Sequence, residues 1–184
     1  MLRAMRWIGL VVVLHTGIGC SDPDESEKGE CFNYSVWDGS SPTVSLRGRL
    51  LNDATGENGG LLRRACSAST CHGSETKSKG QLYLGPSLVT PITEAQIQLV
   101  LANLIRAQAK TNVDVMRVVP TDPQNSFLMR KLDGCYDGIS AGCHPLAGHT
   151  SDNPCGDRMP QGSPLPIDER NEVRRWIAQG ALPD

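Results

Sequence analysis

Two cysteines and a histidine share one short polar segment, at Cys66, Cys71 and His72. The thiols of such a pair can add to the two vinyl groups of haem, and the histidine beside the second thiol can then bind the iron. Because the vinyl groups and the iron belong to one rigid ring, these side chains have to lie close together in the chain. Four residues separate the two cysteines, whereas the common motif has two. The segment predicts covalent attachment of one haem, with a local disulfide between Cys66 and Cys71 as the alternative.

Met159 is the candidate for the second iron ligand of such a haem. It lies in a loop of Gly, Asp, Arg and Pro before the last predicted helix, and methionine is a common partner of histidine in electron carriers. The alternative for Met159 is packing in the core, and His144 is then the reserve ligand. His144 and His149 also lie near Asp152 and Asp157, a set of zinc-ligand types, although solvated loop residues are the simpler interpretation.

The N-terminus has the layout of an export signal. Residues 1–6 carry two arginines and no acid, residues 8–14 are apolar, and small residues lead to Cys20. The apolar run is much shorter than the ~20 residues of a membrane-spanning helix. Gly19-Cys20 resembles the cleavage site of bacterial lipoproteins, whose new N-terminal cysteine becomes lipidated. We therefore expect residues 1–19 to be a signal peptide, with a plain secretory signal cut nearby as the alternative.

Lipid on Cys20 would anchor the protein at the periplasmic face of a bacterial membrane or at the cell surface. Such an oxidising compartment favours disulfides, which changes how the seven cysteines are interpreted. In this interpretation Cys20 is lipidated, and Cys66 and Cys71 are attached to haem. The other four are disulfide candidates that would staple the late loop, and their three possible pairings stay open: Cys31, Cys135, Cys143 and Cys155. Cys143 precedes His144, but the nearest upstream cysteine is too distant for a standard haem site.

Hydrophobic spacing divides the remaining chain into a tether and a mainly α-helical domain, residues 43–184. Residues 20–42 are acidic and rich in Ser and Gly, which is typical of a tether. The apolar Phe32, Tyr34 and Trp37 suggest that the far half of this tether docks on the domain. Four helices are predicted in the domain, with a long loop over residues 134–166: 61–66, 93–110, a helix that begins at residues 122–123 and stops at residue 134, and 167–179.

The composition excludes some functional classes. The net charge is −2 and the lysines and arginines are scattered, so no nucleic-acid partner is expected. The sequence has no Gly-x-Ser-x-Gly nucleophile motif and no phosphate-binding loop, so we do not expect an enzyme. Aromatic residues make up 4% of the chain, and the core must therefore depend on Leu, Val and Ile.

The order of four segments resembles the planctomycete-type cytochrome c domains of bacterial lipoproteins. Together these segments extend over residues 61–181: residues 66–73, 118–126, 158–160 and 174–181. The resemblance implies a small, helical, cytochrome c-like domain that binds one haem c. In that family pattern Cys66 and Cys71 form the thioether bonds, His72 is the proximal ligand of the iron, and Met159 is the distal ligand.

These observations predict a membrane-tethered, c-type cytochrome-like protein that transfers electrons outside the cytoplasm to or from a redox protein. A first alternative is a haem-free lipoprotein, stapled by disulfides, that serves as a binding or structural module. A second alternative is a small accessory domain for a redox enzyme. Covalent haem at the segment from Cys66 to His72 separates the first interpretation from the others.

Overall fold

Four α-helices carry most of the regular structure in this computed structural model, which describes residues 31–52, 59–147 and 153–183. Within those ranges the chain has no β-strand, so the expected mainly helical class is confirmed there. Residues from Cys31 onward belong to one compact unit. The predicted signal peptide and Cys20 lie outside the described residues. The helices are α1 (Leu61–Cys66), α2 (Glu94–Leu104), α3 (Phe127–Asp133) and α4 (Ile167–Ala178).

Helix α2 begins where its sequence predicts and ends earlier. The Thr93 hydroxyl accepts a hydrogen bond from the Gln96 amide, and the Gln96 side chain accepts one from the Thr93 amide. The expected end at residue 110 is wrong. The chain leaves the helix after Leu104, because the Arg106 amide donates to the Val118 carbonyl and the Val118 amide donates to the Leu104 carbonyl. Tertiary pairing therefore replaces the last turns of the predicted helix.

Helix α3 begins at Phe127 and not at residues 122–123. The Asp122 carboxylate accepts a hydrogen bond from the Asn125 amide at 3.1 Å, and the Ser126 hydroxyl donates to the Asp122 carbonyl at 2.8 Å. These bonds close a turn before the helix can start. Helix α3 stops at Gly134, as predicted, with a left-handed φ of 72° that favours glycine.

The main core lies between α1, α2, α3, α4 and a π-helical turn over Leu46–Leu51. Helix α1 packs against that turn, and α3 packs against α4. Gly60 permits the close approach of α1, since a Cβ there would lie 2.3 Å from the carbonyl carbon of Leu50. Side chains with almost no solvent exposure fill the centre: Leu46, Leu50, Leu51, Leu62, Val100, Leu104, Met129, Trp176 and Ile177. None of the described helices has the length and apolarity to cross a membrane.

Residues 31–37 dock on α3 and α4. A disulfide joins Cys31 to Cys135, just beyond the end of α3. The guanidinium of Arg174 lies 3.5 Å from the ring centroid of Phe32, and the rings of Tyr34 and Trp37 surround the same cation. The second half of the predicted tether therefore packs on the helical unit, in agreement with its apolar residues.

Candidate functional site

Cys66 is the last residue of α1, and its side chain lies in the main core. Only 8% of the residue is exposed to solvent. Burial raises the pKa of its thiol to about 12, with a smaller contribution from the nearby Cys71. Cys66 is a free thiol in this structure. It is therefore protonated at neutral pH and shielded by apolar side chains.

Cys71 lies in a tight turn that folds back over the end of α1. Its amide donates a hydrogen bond to the Ala68 carbonyl at 2.9 Å, and the next amide, of His72, donates to the Cys66 carbonyl at 3.1 Å. Cys71 is exposed and is also a free thiol. The structure thus does not contain the local disulfide between Cys66 and Cys71 that the sequence left as an alternative. One thiol faces the core and the other faces solvent.

His72 has one ring nitrogen fixed by the backbone. Its Nδ1 lies 2.9 Å from the Leu82 carbonyl oxygen, and a carbonyl can only accept, so Nδ1 carries the hydrogen. The other nitrogen, Nε2, keeps its lone pair. Metal-binding histidines are commonly oriented by such a bond to a carbonyl. The ring is partly buried, and its Nδ1 is anchored by the backbone.

The electrostatic surroundings favour a neutral imidazole. Burial lowers the pKa of His72, and the hydrogen bonds to the carbonyls of Leu82 and Lys79 offset part of that effect. The positive charges of Arg117 and Lys131 lower the pKa further. Neutral imidazole is the form that binds metals, so the local charges agree with a ligand role for His72.

Met159 lies in a loop that α3 holds by its backbone. The Met159 amide donates to the Lys131 carbonyl at 2.8 Å, and Arg158 Nε donates to the Leu132 carbonyl at 3.0 Å. The Lys131 ammonium donates to the carbonyls of Cys155 and Asp157 on the same loop. Burial lowers the pKa of Lys131 to about 8, against a favourable contribution from Asp157. Met159 itself is half-buried.

Lys131 connects the two predicted ligand regions. Its carbonyl and ammonium hold the Met159 loop, and its charge acts on His72. Arg117, which is buried, contributes a second positive charge and donates to the carbonyls of Asn103 and Gly80, each at 2.8 Å. Sequence reasoning missed both cations. A usable signal existed for Lys131, because it follows Leu128 by three residues and so lies on the buried side of α3.

The disulfide pairing, which the sequence left open, is resolved. Cys31 bonds to Cys135 with a Cα–Cα distance of 5.5 Å, and Cys143 bonds to Cys155 with a Cα–Cα distance of 4.9 Å. The second bridge staples the loop that precedes Met159.

The second Cys-His pair, at Cys143 and His144, has its thiol in this bridge and cannot offer it to haem. His144 is exposed, and its amide donates to the Thr111 carbonyl at 2.6 Å. His149 and Asp152, from the zinc alternative, lie outside the described residues. Among the described residues, the segment from Cys66 to His72 is therefore the place where a free thiol and a histidine occur together.

Of the residues predicted to hold a haem, His72 and Cys71 are placed as covalent attachment requires, and Cys66 is less well placed. His72 offers an anchored imidazole, and Cys71 offers an accessible thiol directly before it. Cys66 turns its thiol into the core instead. Met159 lies in a loop that the adjacent residues Lys131 and Leu132 of α3 hold in place by hydrogen bonds.

No protein-family model, curated protein or solved structure matches this chain.

Proposed function

We propose that this protein is a c-type cytochrome-like electron carrier that binds one haem covalently at the segment from Cys66 to His72. One observation carries the proposal. Among the described residues, four cysteines are paired in disulfides, and the two free thiols, at Cys66 and Cys71, both precede a histidine whose Nδ1 is fixed by the Leu82 carbonyl. In this proposal His72 Nε2 would bind the iron, and the exposed Cys71 thiol would attach the ring.

The chain's own residues would position the cofactor and set its potential. A bound haem supplies an iron that gains and loses one electron. His72 Nε2 is the proposed proximal ligand and Met159 Sδ the proposed distal ligand. The charges of Arg117 and Lys131 would favour the reduced state of a haem bound at His72, because reduction lowers the positive charge of the site. The Lys131 hydrogen bonds keep the Met159 loop in one arrangement.

The location proposed is outside the cytoplasm, with lipid on Cys20 as a membrane anchor. Two disulfides support export, because such bonds persist in oxidising compartments. The bridge at Cys31 fixes the point where the tether meets the folded unit, so only residues 21–30 would separate lipid from protein. The proposed partner is a redox protein.

A haem-free structural or binding module is the second candidate, and the position of Cys66 favours it. This thiol packs among the apolar side chains of the main core, and only 8% of the residue is exposed. In that case neither the free thiols nor His72 would bind a cofactor, and the two disulfides would stabilise the fold. The two candidates differ in whether purified protein contains covalent haem.

The test is to export the full chain in a bacterium that carries the haem-attachment machinery and to stain a denaturing gel for haem peroxidase activity. We expect wild-type protein to keep haem after unfolding. His72→Ala should lose the visible absorption of a ligated haem, because the anchored imidazole is gone. His144→Ala is the matched control, since it alters the exposed histidine of the other Cys-His pair. A colourless wild-type protein would support the haem-free module instead.

Distal ligation is tested separately by Met159→Ala. If Met159 binds the iron, the visible spectrum should change and the reduction potential should fall, because a thioether ligand raises it. Met116→Ala is the control, since Met116 is a surface residue of the same type. Identical spectra for wild type and Met159→Ala would assign the sixth position to another ligand.

A further inference from the structure

The two free cysteines of the proposed haem segment differ sharply in their surroundings. Cys71 is exposed and lies directly before His72, whereas Cys66 is packed among the apolar side chains of the main core. A two-bond attachment needs both thiols at the edge of one ring. Attachment through both cysteines would therefore require Cys66 to turn out of the core.

The position of Cys66 on α1 places its side chain in the core. Leu62 lies four residues earlier and therefore on the same face of the helix, and it has no solvent exposure. Turning this face outward would expose Leu62 together with Cys66. The rotation would also displace Arg63, which is buried and donates to the carbonyls of Pro86 and Ser87 at 3.1 and 2.9 Å. The burial of Leu62 and the hydrogen bonds of Arg63 therefore oppose rotation of α1.

The end of α1 is also fixed, so local unwinding does not release Cys66. The next residue, Ser67, is buried, and its hydroxyl donates to the Leu84 carbonyl at 2.9 Å. The Cys66 carbonyl accepts the His72 amide at 3.1 Å. A Cβ at Gly73 would lie 2.2 Å from the Ser67 carbonyl oxygen, which shows how closely the turn packs on the helix end. Exposing Cys66 would break this turn, which also positions His72.

We infer that haem is attached through a single thioether bond at Cys71, and that Cys66 remains a free thiol of the core. This inference rests on the proposed function. In the attachment step, Cys71 Sγ bonds to the vinyl carbon next to the ring, and the thiol hydrogen goes to the terminal vinyl carbon. The vinyl double bond becomes a single bond, no group leaves, and no oxidant or reductant is consumed. The second vinyl group stays intact.

The experiment compares wild type, Cys66→Ala and Cys71→Ala, each exported with the haem-attachment machinery. Unfolded proteins are treated with iodoacetamide, and intact mass and peptide mapping then locate haem and alkylated cysteine. Wild type should carry one haem on the Cys71 peptide and one alkyl group on Cys66. Cys66→Ala should keep the same haem content per chain, and Cys71→Ala should lose covalent haem completely. The alkaline pyridine spectrum should have its long-wavelength band red-shifted relative to a two-thioether cytochrome, because one vinyl group is still conjugated.

The possible failures are distinguishable. A wild-type haem peptide in which neither cysteine reacts with iodoacetamide would overturn the single-bond inference and leave the proposed function intact. Wild-type protein without any covalent haem would overturn both. If Cys66→Ala fails to fold, as judged by circular dichroism, the mapping of the wild-type peptide still decides the number of bonds.

Discussion

Replacement of Asp133 by Asn should destabilise the protein more than the loss of either arginine that binds it. The Asp133 side chain is 7% exposed and accepts hydrogen bonds from Arg174 Nη2 at 2.7 Å to each oxygen and from Arg170 Nη1 at 3.0 Å. The Arg174 side chain has no solvent exposure. Asp133→Asn keeps the size of the side chain and removes the negative charge that two buried guanidinium groups share.

The magnitude follows from the cost of breaking a buried ion pair. Removing one partner of such a pair costs about 3–5 kcal/mol, and Asp133→Asn removes the carboxylate from two guanidinium groups at once, so we expect a loss near the upper end, about 5 kcal/mol. Arg174→Met leaves Asp133 its bond to Arg170 and should cost about 3 kcal/mol, part of it from the lost stacking on Phe32. Arg49→Met is the control. Arg49 pairs with Glu172 on the surface, and such pairs contribute about 0–1 kcal/mol.

Urea unfolding at neutral pH, followed by tryptophan fluorescence, measures these free energies. The double variant Asp133→Asn, Arg174→Met should cost less than the sum of its single changes by about 1–3 kcal/mol, since the two side chains interact directly. A loss for Asp133→Asn within about 1 kcal/mol of that for the Arg49 control would contradict a strong buried ion pair at Asp133. Simple additivity in the double variant would contradict a direct interaction between Asp133 and Arg174.

Three further predictions concern the backbone, the second disulfide and the imidazole. Gly60→Ala should lower the free energy of unfolding in urea by more than about 3 kcal/mol, since a Cβ would lie 2.3 Å from the carbonyl carbon of Leu50. The control is Gly48→Ala at an exposed position, which should change that free energy by less than about 1 kcal/mol. Equal effects of the two substitutions would contradict this prediction. Replacing Cys143 and Cys155 by Ala should lower the unfolding free energy by about 3 kcal/mol, the loop-closure entropy of a bridge between residues 12 apart; an unchanged urea midpoint would count against it. In haem-free protein the pKa of His72 should lie below 6.5 in an NMR titration, because burial disfavours the cation. The unfolded chain then binds the proton more tightly, so stability should fall as the pH drops below 6.5, and His72→Gln should remove that dependence; a pKa above 6.5 would refute the assignment.

Local chemistry made parts of the fold predictable. The start of α2 follows from the capping box at Thr93, and the end of α3 follows from the left-handed glycine at Gly134. Both signals act within four residues. The end of α2 was not predictable, because Val118 competes for the backbone groups around Arg106 from a distant part of the chain. Propensity could not reveal that competition.

The candidate site divides in the same way. The sequence alone determined the types and spacing of Cys66, Cys71 and His72, the candidate Met159, and the expectation of disulfides among the remaining cysteines. These features depend on neighbouring residues and on residue chemistry.

The folded chain sets which cysteines pair, buries Cys66 in the core while Cys71 is exposed, and orients His72 through the Leu82 carbonyl. It also placed the charge of Lys131 at His72 and its carbonyl on Met159. These properties were not predictable because they depend on residues that are not neighbours in the sequence. Burial, disulfide geometry and electrostatic fields depend on groups that packing brings together from far apart in the chain, and no local pattern encodes their distances.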